Sequence, residues 1–160
     1  MDLPKLKYVE NTEDFFEFSA KEKKCDCCGK LTKVFTSMLY SEEDVTCICP
    51  ECVVSCKACY KFDAYFNDAE DLGNIEAFCQ VTRQTPTIPS NQEIVWPHCC
   101  GDYCTYLRRC NDEDLKNTLI VDAFNAQLAE DVKINEIDAD WLIVFQCKKC
   151  GKYHLELDVD

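Results

Sequence analysis

Residues 25–30 read CDCCGK and residues 147–152 read CKKCGK. Superimposed, the two stretches share Cys-x-x-Cys-Gly-Lys. Cys25 therefore pairs with Cys28, and Cys27 takes the variable position that Lys149 fills in the second copy. Two thiolates at this spacing can bind one ion when the chain turns tightly between them, because backbone N–H groups then point back at sulfur. Glycine after the second cysteine permits the positive φ that ends such a turn. A four-thiolate site needs a second pair for each copy, and the search for those pairs decides the fold.

CPEC, Cys49 and Cys52, supplies the first. Cys25, Cys28, Cys49 and Cys52 have the spacing of a zinc site. Cys147 and Cys150 find their partners in HCCGDYC, residues 98–104. The set expected is Cys100, Cys104, Cys147 and Cys150, with versions that use His98 or Cys99 as rivals. Cys56 and Cys59 also have pair spacing, but on an expected helix they read as small apolar core residues. Cys47 alternates with Cys49 along an extended stretch and should face away from the metal.

Compartment governs how fifteen cysteines are read. No basic start followed by an apolar run marks a secretory signal, and no stretch of about 18 apolar residues marks a membrane span. The expectation is a reducing cytoplasm, where cysteine clusters bind metal rather than pair as disulfides. An odd number of thiols also cannot all pair within one chain.

The net charge of −13, from 17 basic and 30 acidic residues, repels phosphate backbones. No basic stripe with interleaved aromatics argues for nucleic acid. Such a surface suits capture of a basic protein partner by electrostatic steering, with simple solubility as the plain alternative. Candidate contacts are Asp68, Glu70, Asp71 and Glu76, then Asp131, Glu136, Asp138 and Asp140.

The remaining pattern predicts one α+β domain over residues 1–160. It has a zinc-ribbon-like part at 25–52, helices, and a second cluster region at 98–160 closed by a C-terminal β-hairpin. LTKVFTSMLY and DVTCIC read as extended pieces between cysteine pairs. Helices are expected over 52–66, over 75–84 before Pro86 and Pro89, and over 112–130 with Asn111 or Asp112 as cap. WLIVFQC and YHLELDVD form the closing hairpin.

Catalysis is disfavoured by the donor set. A catalytic zinc keeps an open position, often with histidine and an acidic base. Only His98, four residues before Asp102, and His154 are present. A thioredoxin-like use of Cys49 and Cys52 at a helix start conflicts with their matching distant pair.

The order of these motifs resembles the CbrC-like family of bacterial proteins associated with colicin tolerance. The resemblance runs through PKLKYVENTED, CDCCGK, CPECVVSCKACYKFDAYFND, VTRQTPTIPSNQEIVWPHCCGDYCTYL and FQCKKCGKYHLELDVD. Counted from Trp96, the family's histidine before Cys-Gly-Asp falls on Cys99, and its arginine before Thr-Pro is Gln84. The small residues expected after Cys52 are Ser55, Cys56 and Cys59 here. The resemblance implies a zinc-binding cytoplasmic protein linked to bacteriocin tolerance, with no established reaction. With the acidity, it leads to the expectation of a non-catalytic immunity protein that binds a basic toxin domain. A housekeeping adaptor is the alternative, and a metal hydrolase or thiol oxidoreductase a more distant one.

Overall fold

Both Cys-x-x-Cys-Gly-Lys stretches sit at the tips of β-hairpins in a computed structural model that describes residues 3–128, 133 and 136–158. The first hairpin joins β1 (Glu17–Lys24) to β2 (Leu31–Phe35), antiparallel, with Glu17 opposite Phe35 and Lys24 opposite Leu31. β2 alternates outward and inward, burying Thr32 and Val34. DVTCIC does not form the expected strand; only Ile48 bridges Thr36. β1 takes its place as the partner of β2, because the tight turn at 25–30 returns the chain directly alongside itself.

Pro50 opens α1 (Pro50–Val54) at a position where its missing N–H costs nothing. The helix expected over 52–66 breaks. Cys56 takes φ 59°, and α2 (Lys57–Lys61) starts afresh beyond it. A single left-handed residue ends a helix without disturbing the spacing of its apolar residues, so periodicity does not register the break. Beyond α2, β3 (Asp68–Ala69) leads to α3 (Ile75–Arg83), which Asn74 caps by accepting from Ala77 N–H at 3.1 Å. The Asn67 side-chain amide, buried beneath this helix, donates to Val81 O, Thr85 O and Pro86 O and accepts from Ile88 N–H. That one side chain holds the loop which the two prolines release from the helix.

β4 (Val95–Trp96) runs parallel to β3. A small hairpin of β5 (His98–Cys99) and β6 (Asp102–Tyr103) follows, then β7 (Thr105–Arg109). β7 had no clear signature in the sequence. It forms the edge of an antiparallel sheet with β8 (Leu142–Gln146) and β9 (Tyr153–Leu157), in the order β7-β8-β9. The helix expected over 112–130 starts later. A 3-10 turn covers Asp114–Lys116, and α4 (Thr118–Gln127) is capped by Asn117, whose side chain accepts from Leu119 N–H at 3.0 Å.

β8 serves two cores through the alternation of its side chains. Ile143 and Phe145 join a large core with Trp96, Phe66, Val53 and the cluster cysteines 25, 49 and 52. Leu142 and Val144 face a smaller one with Ile120 and Phe124 of α4, Cys110 and Leu155. Trp96 meets Phe145 edge-on at 5.4 Å and donates its indole N–H to Cys104 O at 2.8 Å. At the start of β8, Arg109 pairs with Asp158, which is 1% exposed, and donates to Pro89 O and Asp140 O. Among the described residues, no helix is long and apolar enough to cross a membrane.

Candidate metal centres

The two knuckles fold alike. Cys25 N–H donates to Lys30 O at 2.8 Å and Gly29 N–H to Cys25 O at 2.8 Å; the same bonds from Cys147 and Gly151 measure 2.9 and 2.8 Å. Gly29 and Gly151 take φ 75° and 76°, as the glycine position requires. The backbone N–H of Lys30 bonds the Cys28 thiol and holds its pKa down to about 7. Lys152 does the same for Cys150, also to about 7. Each turn is thus organised to stabilise a thiolate.

The first group is the expected one. The sulfurs of Cys25, Cys28, Cys49 and Cys52 all lie within 4.8 Å of one another. Cys49 N–H points at Cys25 Sγ at 3.3 Å, and the Cys28 and Cys49 sulfurs are 3.8 Å apart. Cys25, Cys49 and Cys52 are buried, and burial pushes the Cys49 thiol up to about 11 and Cys52 up as well. The knuckle is clamped from outside. Asp26 accepts from Thr46 and Cys47 N–H at 2.9 Å each, Lys61 donates to Asp26 O and Cys27 O, and Lys30 pairs with Glu51 at 2.8 Å.

The second group differs from expectation at one member. It comprises Cys99, Cys100, Cys147 and Cys150, again within 4.8 Å. Cys99 stands where Cys104 was expected. Cys104 is fully buried beside Trp96, its N–H bonded to Pro97 O. The reason lies in the β5–β6 turn, where Cys100 and Gly101 take φ 54° and 71°. Positive φ at both central residues is the two-residue hairpin turn that matches strand twist. It sets Cys99 and Cys100 together at the tip facing the knuckle. Cys99 Sγ lies 3.6 Å from both Cys100 Sγ and Cys150 Sγ, and its bond with the Cys150 thiol is the largest factor raising its pKa to about 12. The sequence offered this choice as a rival, since Cys99 lies in the same HCCGDYC run as Cys104.

Both groups fit a tetrahedral ion. Zinc–sulfur bonds of about 2.3 Å set sulfurs about 3.8 Å apart at the edges of a tetrahedron, against the 3.8 and 3.6 Å contacts found. Once one thiol of a group is ionised its charge opposes ionisation of the rest, and a divalent cation reverses that opposition. Among the described residues these are the groups able to hold a metal.

His98 lies outside the second group. Its Nε2 pairs with Glu70 at 3.1 Å, while Asp102 accepts from Tyr8 OH at 2.8 Å. His154 is half-buried on β9. Cys47 is buried outside the first group, and Cys56 and Cys59 are buried near it.

The candidate contact residues that the structure describes are exposed but form two patches. Asp68, Glu70, Asp71 and Glu76 lie around β3 and the start of α3, beside His98 and hence the second group. Glu136, Asp138 and Asp140 are exposed on the segment that leads into the opposite end of β8. Asp131 lies outside the described residues.

UPF0167 protein PA1536 of Pseudomonas aeruginosa is 25% identical to the chain over 183 residues, covering 98% of this chain and 97% of that protein. UPF0167 proteins Mb2317 of Mycobacterium bovis and MT2352 of Mycobacterium tuberculosis are each 29% identical over 116 residues, 66% of this chain and 59% of theirs. No solved structure matches the chain significantly. The match to the family model spans residues 3–159, both cysteine groups included, and the chain belongs to the uncharacterised protein family UPF0167.

Proposed function

We propose that this is a non-catalytic binding protein of the cytoplasm, in which two four-thiolate zinc ions hold a small mixed fold and an acidic surface receives a basic protein domain. The observation that carries the reading is the donor set. Each group closes with four thiols, so an ion held by them keeps no protein-free position for a substrate, and strong donation from four sulfurs blunts its acidity. Cys25, Cys28, Cys49 and Cys52 would hold one ion, and Cys99, Cys100, Cys147 and Cys150 the other. Zinc bound there supplies cross-links between hairpins rather than chemistry.

The partner follows from charge and from the resemblance to colicin-tolerance proteins. A surface carrying −13 accelerates encounter with a basic domain such as a bacteriocin or contact-delivered nuclease. The patch of Asp68, Glu70, Asp71 and Glu76 is the favoured contact, because it stands on a segment tied to the second cluster through Glu70 and His98.

Metal analysis of protein purified without added metal tests the first half, with two zinc ions per chain expected. Affinity capture from the native cell tests the second. A stoichiometric complex with one basic toxin domain is expected, weakening with salt and with Glu70→Lys and Asp71→Lys together. Several unrelated partners would favour an adaptor instead. Recovery of the protein alone, with both zinc ions retained, would remove the binding reading.

A further inference from the structure

The two clusters differ in what can reach them. In the first, the exposed thiol of Cys28 is backed by three thiols buried in the main core. In the second, Cys100 and Cys150 are exposed, Cys99 is partly so, and only Cys147 is buried. Cys150 also lines a cavity of about 690 Å³ between the knuckle and α4, together with Leu119, Ala123, Gln127, Lys152 and His154. Solutes can reach Cys150 from a side that none of the other three cysteines lines.

Resting on the zinc reading above, we infer that Cys150 and Cys99 form a peroxide-reactive pair, joined on oxidation by a disulfide that opens the second cluster. Cys150 is the attacking thiolate because it lines the cavity and is more exposed than Cys99. Its Sγ forms a bond to one peroxide oxygen as the O–O bond breaks, and the departing hydroxide takes a proton to become water. Cys150 is then a sulfenic acid, oxidised by two electrons, and the peroxide is reduced. The Cys99 thiolate, 3.6 Å away, attacks that sulfur. The S–S bond forms as the S–O bond breaks, and the second hydroxide leaves as water after protonation. Closing from 3.6 Å to about 2 Å asks for small movements of two exposed turns. Cys100 and Cys147 alone no longer suffice to hold an ion.

Geometry selects this pair over the equally close neighbours Cys99 and Cys100. Adjacent Cα atoms stand about 3.8 Å apart across a trans peptide, shorter than the roughly 4.4–6.8 Å that a disulfide spans. Cys99 and Cys150 come from different hairpins, so their bond meets no such restriction and cross-links the β5–β6 tip to the knuckle.

The test uses the reduced, zinc-loaded protein, counted first for metal. A count other than two zinc ions per chain defeats the zinc reading before any oxidant is added. With two present, one equivalent of hydrogen peroxide is added, zinc release is followed with a colorimetric chelator, and free thiols are alkylated for peptide mass mapping. Release of one of the two ions is expected, with a Cys99–Cys150 linked peptide, and a thiol reductant restores uptake. Cys99→His keeps a zinc-ligating group but removes the resolving thiol. It should retain the ion and trap Cys150 as a sulfenic acid that dimedone labels. Retention of both ions through excess peroxide, equal loss of both, or a disulfide without Cys150 overturns the inference. So does zinc release from Cys99→His at the wild-type rate.

Discussion

The first and second thiol clusters share one half and differ in the other. Their Cys-x-x-Cys-Gly-Lys turns have hydrogen bonds equal within 0.1 Å and glycines at nearly the same φ. The completing pair in the first is Cys49 and Cys52 around a proline-started helix, buried in the main core. In the second it is an adjacent pair at a hairpin tip, with exposed Lys149 of the knuckle donating to Cys100 O. A short ligand motif therefore dictates the turn that presents sulfur, whereas the completing pair dictates how far the cluster is woven into the core.

The largest expected effect tests whether metal holds either cluster. Structural zinc contributes an apparent 10 kcal/mol or more, comparable with the whole stability of a domain. Stripping both ions should abolish cooperative thermal unfolding, followed by circular dichroism; an unchanged melt would end the structural role. The contrast sharpens with single substitutions. Cys52→Ser should cost the soluble fold, while Cys150→Ser should lose one ion and loosen mainly the C-terminal sheet, read by hydrogen exchange. Equal damage from the two would erase the distinction drawn here.

Next in size is the half-buried ion pair of Arg109 and Asp158 beside the C-terminal sheet. Arg109→Ala leaves Asp158, 1% exposed, with only the Asn91 N–H on its carboxylate, and should destabilise by about 1–3 kcal/mol in denaturant titration. The knuckle equivalence predicts a smaller, matched effect. A Cβ at Gly29 meets Lys24 only at ordinary contact distance, and one at Gly151 meets nothing. Gly29→Ala and Gly151→Ala should each cost only the left-handed backbone term, about 1–2 kcal/mol. A much larger loss at either position would show that the turns are not equivalent.

The smallest effect is a pH dependence at Glu156, opposite Ile143 on β9. Burial raises the pKa of this carboxyl above 4.5. The folded state then binds its proton more tightly than the unfolded chain, so this group's contribution to stability falls as pH rises from the unfolded value through the folded one. Glu156→Gln should therefore be more stable than the parent at neutral pH, the gain fading in acid. A gain independent of pH would point to a cause other than ionisation.

Much of the site was legible where chemistry is local. The knuckles, the Cys49–Cys52 pair, α3 and the β8–β9 hairpin all follow from spacing within short windows. The differences arose where the pattern of apolar residues carries no mark of the outcome. β1 was exposed and charged, with little alternation to mark it, and is a strand because the knuckle folds it onto β2. The break at Cys56 turns on one left-handed residue. The late start of α4 follows from Asn111 and Asp114, which bind the preceding turn and Arg108 before the helix can begin.

The sequence by itself determined that this chain carries two thiolate turns of one design and excess negative charge, because both are properties of neighbouring residues. Only the tertiary structure decided that Cys99 rather than Cys104 completes the second group. A hairpin turn with positive φ at Cys100 and Gly101 brings Cys99 to its tip, while the strand beyond carries Cys104 into the core under Trp96. The sequence separation of cysteines says which can be near; backbone direction decides which face the ion.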